Sequence, residues 1–408
     1  MKIVLSPVGT TGDIRPFIAL GNSLRKSGNE ILLVVPQNAA DLCKKYGLPH
    51  QAISFDYRMV VDKAGEKLPI KEISELLDSE ISAQCEGLKE TVKDADFLIG
   101  SARNYAVPLM AELYGISYYQ VWHTVQVFKS VQHPPWRVSR QNNPEWLNSL
   151  FWKVNDIKEN AIGKKFINKH RKNCGLKPLE EFCTESRKNI LAVVDKELAP
   201  VPSDVTDAYY QTRYWHLFEN EELASDLMDF VRAGKPPVFF SFGSMSDKTG
   251  EQTVEIIEKI VKDLDLRAVI QKGWADLGKN LQNHRIKVID AAPHHKLFPW
   301  VSAVVHHGGA GTTHTAALAG VPQVIVPQMV DQFYWGAKVH SLKLGPHPIN
   351  KSKLAEKNLK EAVSQAVYNP TMIESARKMA HTLSLREDMD TIAEELLERI
   401  CTKIRNRR

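Results

Sequence analysis

The sequence predicts two doubly wound α/β domains, each built around a Rossmann-like parallel sheet. The chain has 408 residues, which is more than one ordinary hydrophobic core accommodates. Short apolar runs of strand length alternate with amphipathic segments of helical length, as in β-α-β units. Two strand–glycine loop–helix units stand far apart, at residues 2–28 and 302–320, and no sequence repeat links them. We therefore expect two similar domains that face each other across a cleft.

The first half begins with a predicted strand at residues 2–6, a loop at 7–15 and a helix from Pro16 to Gly28. Pro16 suits the first turn of a helix, where an N–H group has no helical partner. Further strands are predicted at residues 31–35, 51–55, 97–100, 116–121 and 189–194, with helices at 41–46, 73–92 and 105–114. Residues 56–68 are predicted to form a loop. A nicotinamide site is disfavoured because Pro36, rather than an acidic residue, follows the second strand.

Residues 122–146 interrupt this alternation with a long loop that is rich in aromatic side chains. It contains Trp122, His123, Phe128, Trp136 and Trp146. Long loops between compact elements often carry function, and this one suits the wall of a pocket for a hydrophobic ligand. The alternative is that its aromatic side chains pack against their own domain.

A long helix, or a pair of helices, is predicted at residues 147–173 and ends in a basic run at 164–172. The first interpretation of this run is a solvated face, and the second is a contact with a membrane surface. Beyond residue 199 the apolar alternation is lost, and we place a linker at residues 216–236. The first domain then covers residues 1–215 and the second covers 237–384.

The second half repeats the strand and helix alternation. Strands are predicted at residues 238–242, 267–271, 286–289, 302–305 and 321–326, and helices at 251–264, 331–342, 351–367, 371–383 and 388–404. A glycine loop carrying His306, His307, Gly308, Gly309, Ala310, Gly311, Thr312 and Thr313 follows one of these strands. The glycines permit unusual backbone conformations, and either threonine can cap the helix that follows.

This glycine loop predicts an anion site, because the free N–H groups and the dipole of a helix N-terminus favour a phosphate. No lysine follows the glycines, so the loop is not a P-loop, and it also lacks the dinucleotide-binding glycine pattern. Asp331 and Gln332 come after the next strand and can hydrogen-bond a polyol. A pyrophosphate site beside a polyol site describes a nucleotide sugar.

Composition sets the remaining expectations. Hydrophobic residues make up 43% of the chain and charged residues 25%, which is typical of a soluble globular protein. The formal net charge of +5 is mild and does not indicate nucleic-acid binding. The five cysteines form no C-x-x-C pair, so we expect no disulfide framework and a cytoplasmic location, with peripheral contact to a membrane as the alternative. The first residues suit a strand rather than a signal peptide, and no segment reaches transmembrane length.

Four signals in order resemble a known family: Gly9-Thr10-Thr11-Gly12-Asp13-Ile14-Arg15-Pro16, then Phe242-Gly243-Ser244-Met245, then the stretch from His306 and its continuation at Asp331-Gln332. They are similar to the signatures of nucleotide-sugar-dependent glycosyltransferases with the two-domain GT-B fold, glycosyltransferase family 1. The likeness is greatest to the sterol, macrolide and glycopeptide-antibiotic group. It implies an acceptor-binding first domain, a donor-binding second domain and a last helix, at residues 385–408, that packs back on the first domain.

The resemblance also implies roles for the donor site, in which no metal or other cofactor takes part. His307 and the loop residues Gly309, Ala310, Gly311 and Thr312 would bind the pyrophosphate, and Gly243 and Ser244 would close over it. Asp331 and Gln332 would hold sugar hydroxyls. The base would meet Ala292, with Gln271, Trp274 and His294 nearby. Plant-type relatives carry Trp and Asn at the positions of Ala310 and Gly311, so the resemblance does not fix which base is bound.

Asp13 is the candidate catalytic base, since an acceptor hydroxyl needs a group that takes its proton. Many plant and animal relatives carry a histidine at this position, and the antibiotic and sterol group carries Asp. The alternative is that Asp13 only caps the following helix. His123 is a candidate assistant, and Thr10, Trp122, Phe128 and Trp136 are candidate acceptor-binding residues.

The histidine pair His306-His307 has two other interpretations: a structural pair, or a metal site together with His294 and His295. Metal is disfavoured because adjacent strand residues point to opposite faces and no carboxylate cluster supports them.

The sequence thus predicts an inverting hexosyltransferase that moves glucose from UDP-glucose, or a sugar from a dTDP donor, to a hydroxyl of a sterol, flavonoid or polyketide. Two alternatives stay open: a nucleotide-sugar 2-epimerase on the same fold, and a non-catalytic donor-binding partner of another transferase.

Overall fold

The computed structural model describes residues 1–62, 69–242, 250–273, 277–279, 281–385 and 388–406. Its strands form two fully parallel sheets, one of seven strands in the first half and one of five in the second. The expected pair of doubly wound domains is confirmed.

The first sheet has the order β3-β2-β1-β4-β5-β6-β7. Its strands are β1 (Lys2–Ser6), β2 (Glu30–Pro36), β3 (His50–Ile53), β4 (Phe97–Ser101), β5 (Ser117–Trp122), β6 (Ile190–Val193) and β7 (Tyr209–Thr212). The helices of this half are α1 (Thr11–Lys26), α2 (Ala40–Lys45), α3 (Arg58–Asp62), α4 (Ile70–Lys89), α5 (Ala106–Tyr114), α6 (Glu145–Asn173) and α7 (Phe182–Ser186). The central strands β1 and β4 are mostly apolar and almost entirely buried on both faces, which suits a parallel sheet between helical layers.

The second sheet has the order β10-β9-β8-β11-β12. Its strands are β8 (Val238–Ser241), β9 (Ala268–Gln271), β10 (Ile286–Ile289), β11 (Ala303–His306) and β12 (Gln323–Ile325). The helices are α8 (Ser225–Arg232), α9 (Gly250–Asp263), α10 (His294–Leu297), α11 (Ala310–Leu318), α12 (Gln332–Ser341), α13 (Glu356–Tyr368), α14 (Pro370–Ser384) and α15 (Met389–Arg405).

Each sheet has a topological switch point, and these two points position the site. In the first sheet the strand order reverses between β1 and β4, so the loop after β1 opens into a crevice. In the second sheet it reverses between β8 and β11, so the glycine loop after β11 does the same. Both predicted motifs therefore lie where parallel α/β sheets bind ligands.

Three local predictions need correction. Helix α1 begins at Thr11, five residues before Pro16, because the Asp13 carboxylate accepts from the N–H and the hydroxyl of the N-cap residue Thr10. Residues 209–212, placed without structure before the linker, form β7 at the edge of the first sheet. Residues 58–62, predicted as loop, form the short helix α3.

The predicted linker at residues 216–236 contains the helix α8. Its sequence is rich in charged residues, but the helix is amphipathic and has a narrow apolar side. Leu227 and Val231 on this side pack with Phe239 and Val304 of the second sheet. The packing of the second half therefore begins before residue 237.

Two apolar contacts between the halves lie in the cores. Ile392, Leu396 and Ile400 of α15 enter the core around α1, so the end of the chain packs on the first half. Further inward, Phe128 and Ile190 of the first half share an apolar cluster with Trp335 of the second. Among the described residues, no helix is both long enough and apolar enough to span a bilayer.

Candidate functional site

Asp13 lies in the first turn of α1, directly behind the loop that follows β1. Its Oδ2 accepts hydrogen bonds from the Thr10 N–H at 2.8 Å and the Thr10 hydroxyl at 3.2 Å. Its Oδ1 has no hydrogen bond within the described residues. Burial raises the pKa of Asp13, against the opposing effects of the Thr10 hydrogen bonds and the nearby Arg103 charge. Asp13 is therefore a helix cap that keeps one oxygen for another partner.

Gly9 makes room for this carboxylate. Its φ of +126° is open to few residues other than glycine, and a Cβ at this position would collide with Asp13. The glycine thus allows the backbone to pass close to the carboxylate that Thr10 holds.

The N-terminus of α11, in the second half, is the candidate anion site. Gly309 is the N-cap residue, and the helix begins at Ala310. The N–H groups of Ala310, Gly311 and Thr312 therefore have no helical partner, while Thr313 already donates to Gly309. The predicted threonine cap is wrong, because both threonines lie inside the first turn. A helix start with three free N–H groups fits a diphosphate.

Gly308 gives the loop its shape. Its φ is +89°, and a Cβ there would lie 2.7 Å from Ile325 Cγ2 and 3.0 Å from the Gln332 carbonyl oxygen. Only glycine lets the loop pass this close to α12.

His306 and His307 differ in role despite being adjacent. His306 is fully buried, donates from Nε2 to Gln323 at 3.0 Å and accepts from the Gly308 N–H at 3.2 Å, so it is structural. His307 reaches the mouth of the loop, and its Nδ1 has no partner. Burial lowers the pKa of His307 to about 4, so its imidazole is neutral near pH 7 and offers one N–H donor.

Asp331 and Gln332 begin α12 beside this loop. Asp331 Oδ2 accepts from Trp335 Nε1 at 3.2 Å. Burial, with a contribution from the Asp13 charge, raises the pKa of Asp331 to about 7. The Gln332 side-chain carbonyl accepts from the backbone N–H groups of Gln328 and Met329 at 2.8 and 3.1 Å. Gln332 therefore keeps only its amide donors for a ligand.

Tyr214 belongs to the first half, contacts α11 of the second half, and was not identified from the sequence. Its ring stacks on His314 of α11, with centroids 4.5 Å apart, and its hydroxyl oxygen lies 2.8 Å from where a Cβ at Gly311 would stand. Burial and the charges of Asp13, Asp195 and Asp331 raise its pKa, so the hydroxyl stays protonated. It is a neutral hydrogen-bond donor from the first half at the N-terminus of α11.

Asp195 and His314 support Tyr214 from behind, and neither was predicted. The buried carboxylate of Asp195 accepts from the Tyr214 N–H at 3.3 Å and lies 3.9 Å from His314 Nε2. The other nitrogen, His314 Nδ1, donates to the Ala310 carbonyl at 2.7 Å. No short motif marks these residues, because Tyr214 and Asp195 reach His314 from segments 100 and 119 positions away.

The residues expected near the base lie at the end of β9 and at the start of α10. His294 Nε2 donates to the Gln271 side chain at 2.9 Å and stacks on Phe298, with ring centroids 4.7 Å apart. Burial lowers the pKa of His294 to about 4. Ala292 is half-buried in the turn before α10. The other residues expected to bind the donor, Gly243, Ser244 and Trp274, lie outside the described residues.

His123 directly follows β5, and its ring centroid lies 5.6 Å from that of Tyr214. Burial, together with His314, lowers the pKa of His123 to about 4, so this side chain is a neutral imidazole beside the cleft. Trp122, just before it, has an indole N–H that is buried without a partner.

The remaining candidate acceptor-binding residues differ in their exposure. Phe128 is fully buried against Tyr209, with centroids 5.0 Å apart, so it packs in the core and presents no surface to a ligand. Trp136 is partly exposed and holds the Arg137 guanidinium 4.6 Å from its ring centroid. Thr10 is partly exposed at the start of α1. The aromatic loop thus contains packing residues as well as residues with free surface.

Within the described ranges, no group of three or more His, Cys, Asp or Glu side chains is arranged to hold a metal ion. His306 and His294 each use Nε2 on a glutamine, which leaves the metal interpretation of the histidines without a ligand set.

Comparisons with known proteins agree with this architecture. Residues 3–123 match the glycosyltransferase family 28 N-terminal domain, and residues 252–398 match the C-terminal domain of erythromycin biosynthesis protein CIII-like proteins. The chain is 29% identical over 350 residues to vancomycin aglycone glucosyltransferase from Amycolatopsis orientalis, and the match covers 85% of each chain. It is 28% identical over 421 residues to the sterol 3-beta-glucosyltransferase UGT80B1 from Arabidopsis thaliana, covering 96% of this chain and 66% of the plant enzyme.

Solved structures show the same fold. Glycosyltransferase SnogD from Streptomyces nogalater superposes with a TM-score of 0.68 at 17% identity, covering 98% of this chain and 99% of that one. Glycosyltransferase VinC, solved in complex with dTDP, superposes with a TM-score of 0.71 at 17% identity, covering 99% and 100%. The two family matches fall on the two sheets in the order that the motifs predicted. The chain therefore belongs to the GT-B glycosyltransferases, with a family 28 type N-terminal domain and an EryCIII-like C-terminal domain.

Proposed function

We propose that this glycosyltransferase transfers glucose from UDP-glucose to a hydroxyl of a hydrophobic small molecule, with inversion at the anomeric carbon. One observation carries the proposal: the Asp13 charge acts on both Tyr214 and Asp331, and the Tyr214 hydroxyl stands beside Gly311 at the N-terminus of α11. A base on one side and an anion site on the other suit a single in-line displacement.

The proposed reaction proceeds in one step. Asp13 Oδ1 accepts the proton of the acceptor hydroxyl, and the acceptor oxygen bonds to the anomeric carbon as the bond to the diphosphate breaks. The leaving diphosphate gains negative charge. The free N–H groups of α11, the neutral His307 and the Tyr214 hydroxyl supply fixed donors for that charge. The proposal includes no metal, and activity should persist in a chelator.

Inversion follows from this arrangement. The base acts from the first half and the leaving group remains with the second, so the acceptor attacks from the side opposite the diphosphate. An α-linked donor would then give a β-linked product.

UDP-glucose is proposed because the relatives that the chain matches over most of its length are named as glucosyltransferases. VinC was solved with dTDP, which makes a dTDP-sugar the second candidate donor. Asp331 and the Gln332 amide would hold the sugar hydroxyls.

The acceptor class is proposed from the same relatives, which are named for a glycopeptide aglycone and for sterols. Trp122 and Trp136 give the loop beside the cleft an apolar surface for such a molecule. A cytoplasmic location completes the proposal, since all five cysteines are free. Membrane contact is a separate proposal that rests on the outer face of α6.

The test uses the purified full chain with UDP-glucose or dTDP-glucose and a panel of sterol, flavonoid and polyketide acceptors. We expect UDP release only when an acceptor is present, a product heavier by one hexose, and a β linkage by NMR. UDP release without acceptor, together with an isomerised sugar, would instead indicate the epimerase. Tight UDP binding without turnover on any acceptor would indicate a non-catalytic partner.

A further inference from the structure

The outer face of α6 carries an unusual concentration of exposed apolar side chains. Five of the thirteen large hydrophobic residues that are exposed in the described part of the chain lie on this one helix: Trp146, Leu150, Val154, Ile157 and Ile162. Trp146 is 69% exposed and Ile157 is 71% exposed. Scattered exposed apolar residues are normal, but a contiguous set marks a surface that binds something.

Four of these residues form a stripe because their spacing is helical. Trp146, Leu150, Val154 and Ile157 follow one another at intervals of three or four residues, which places them along one side of the helix, and the exposed Ala161 continues the line. The opposite side holds Trp152, which is fully buried. The helix is thus anchored along one side, and the stripe faces solvent.

Lysines border the stripe. At about 100° per residue, Lys153 and Lys164 lie on one edge of it and Lys158 and Lys165 on the other. None of the four has an ion-pair partner among the described residues.

The acidic residues of α6 lie away from this face. Asp156 pairs with Arg187 and Lys129, and Glu159 pairs with Arg137. The stripe therefore has an apolar centre, two positive edges and no carboxylate among its members.

We propose that this face of α6 binds the surface of a membrane that contains anionic lipids. A helix with Trp and Leu on its outer side and lysines at its edges has the pattern of helices that lie in the plane of the interface. The apolar residues would enter the boundary between headgroups and acyl chains, and the lysines would meet lipid phosphates. A second copy of the chain is a poorer occupant, because a symmetric contact through this stripe would bring two sets of lysines together.

The stripe lies one helix away from the cleft. From the buried side of α6, Trp152 Nε1 donates to the His133 carbonyl at 2.9 Å and Asn148 donates to the Val131 carbonyl at 2.8 Å. The His133 ring in turn packs edge-on against Tyr334 of α12, with centroids 6.0 Å apart. If the proposed function holds, a membrane-dissolved acceptor would reach the cleft beside this loop; membrane binding itself needs neither donor nor acceptor.

The test is sedimentation of the full chain with vesicles of phosphatidylcholine alone or mixed with phosphatidylglycerol. We expect binding to the mixed vesicles only, weakened by added salt. Leu150→Ser with Ile157→Ser should lower the partition coefficient at least about tenfold, and so should Lys153→Gln with Lys158→Gln. Leu385→Ser is the matched control, since Leu385 is 72% exposed but lies beyond α14.

Three outcomes would overturn the proposal: no binding of the wild type to mixed vesicles at low salt, equal loss in the Leu385→Ser control, or no loss in the α6 variants. A concentration-dependent dimer that Leu150→Ser with Ile157→Ser abolishes, without vesicle binding, would assign the stripe to a second copy. Melting temperatures and UDP affinity should not change, because these side chains are exposed and outside the cleft. Turnover on a water-soluble acceptor tests the proposed function separately.

Discussion

Tyr214 stacks on His314 across the boundary between the two halves, with ring centroids 4.5 Å apart and ring planes 21° from parallel. The stack fixes the Tyr214 hydroxyl beside Gly311, at the end of α11 where a diphosphate is expected. Under the proposed function, a residue from the first half thus completes the donor site of the second.

Tyr214→Phe should show whether the ring stack or the hydroxyl of Tyr214 supports donor binding. The phenylalanine ring retains the contact with His314, while the donor to the diphosphate is lost. We expect UDP affinity to fall about five- to tenfold, as for one hydrogen bond to a charged group, with the melting temperature nearly unchanged. Calorimetric titration with UDP measures this. Tyr210→Phe is the control, because the Tyr210 hydroxyl bonds to Glu395, away from the cleft; equal affinities in both variants would remove Tyr214 from the donor site.

Gly309→Ala should disturb His307 without removing it. The backbone of Gly309, at φ −64° and ψ 140°, accepts alanine, but the new Cβ would stand 2.5 Å from His307 Nε2. The imidazole must move, and we expect UDP to bind about tenfold more weakly. Gly234→Ala is the control, since its nearest neighbour would be 3.6 Å away.

A double-mutant cycle sharpens this prediction. In the His307→Ala background, Gly309→Ala should cost little further affinity, because the ring that it displaces is gone. An undiminished loss in that background would show that Gly309 acts through the backbone and not through His307.

Asp13→Asn should abolish proton transfer and keep the helix cap. The asparagine oxygen can still accept from the Thr10 N–H, so stability should hold. Turnover should fall by about 10²–10⁴-fold, as is common when a general base is lost. UDP affinity should barely change because Asp13 belongs to the other half. An acidic phenol acceptor should lose less than an aliphatic alcohol; near-normal turnover on the alcohol would eliminate Asp13 and make His123 the next candidate.

The sequence located most strands well because they are short, largely apolar runs bounded by turn residues. The predicted bounds for β1, 2–6, match Lys2–Ser6, and those for β10, 286–289, match Ile286–Ile289. The sequence did not predict β7, because it is a polar strand at the edge of the sheet, or α8, because its sequence is rich in charged residues. At α1, the prediction placed the start of the helix at Pro16 because proline suits a first turn. The true start, at Thr11, is set by the hydrogen bonds between Thr10 and Asp13.

The candidate site was predictable only where its residues lie close together in the sequence. The glycine loop and Asp13 follow strands at switch points, so the motif and the topology agree. Gln332 was expected to hold sugar hydroxyls, and the structure adds that its carbonyl oxygen serves the backbone of its own turn. Tyr214 and Asp195 depend on contacts between distant segments, for which the sequence carries no short pattern. The shared cluster around Trp335 also means that donor binding is best measured in the full chain.

Asp331 should make stability depend on pH in a defined direction. Burial raises its pKa to about 7, while a carboxyl in an unfolded chain titrates near about 4. Between these values the folded protein holds a proton that the unfolded chain releases. The stability contributed by this group is therefore present below about pH 4 and is lost as the pH rises through about 7.

Asp331→Asn removes this dependence. We expect its melting temperature, relative to wild type, to rise by a few degrees between about pH 4 and pH 7 and to level off above that. The difference between the two proteins is the readout, because buried histidines such as His306, with a pKa lowered to about 3, push both curves the other way. In the Asp13→Asn background the rise should begin at the same pH, which the unfolded chain sets, but end at a lower pH, since the Asp13 charge is one cause of the raised pKa in the folded protein. A difference that is flat across this range, or that has the opposite sign, would show that Asp331 is ionised at neutral pH and solvated in the open cleft.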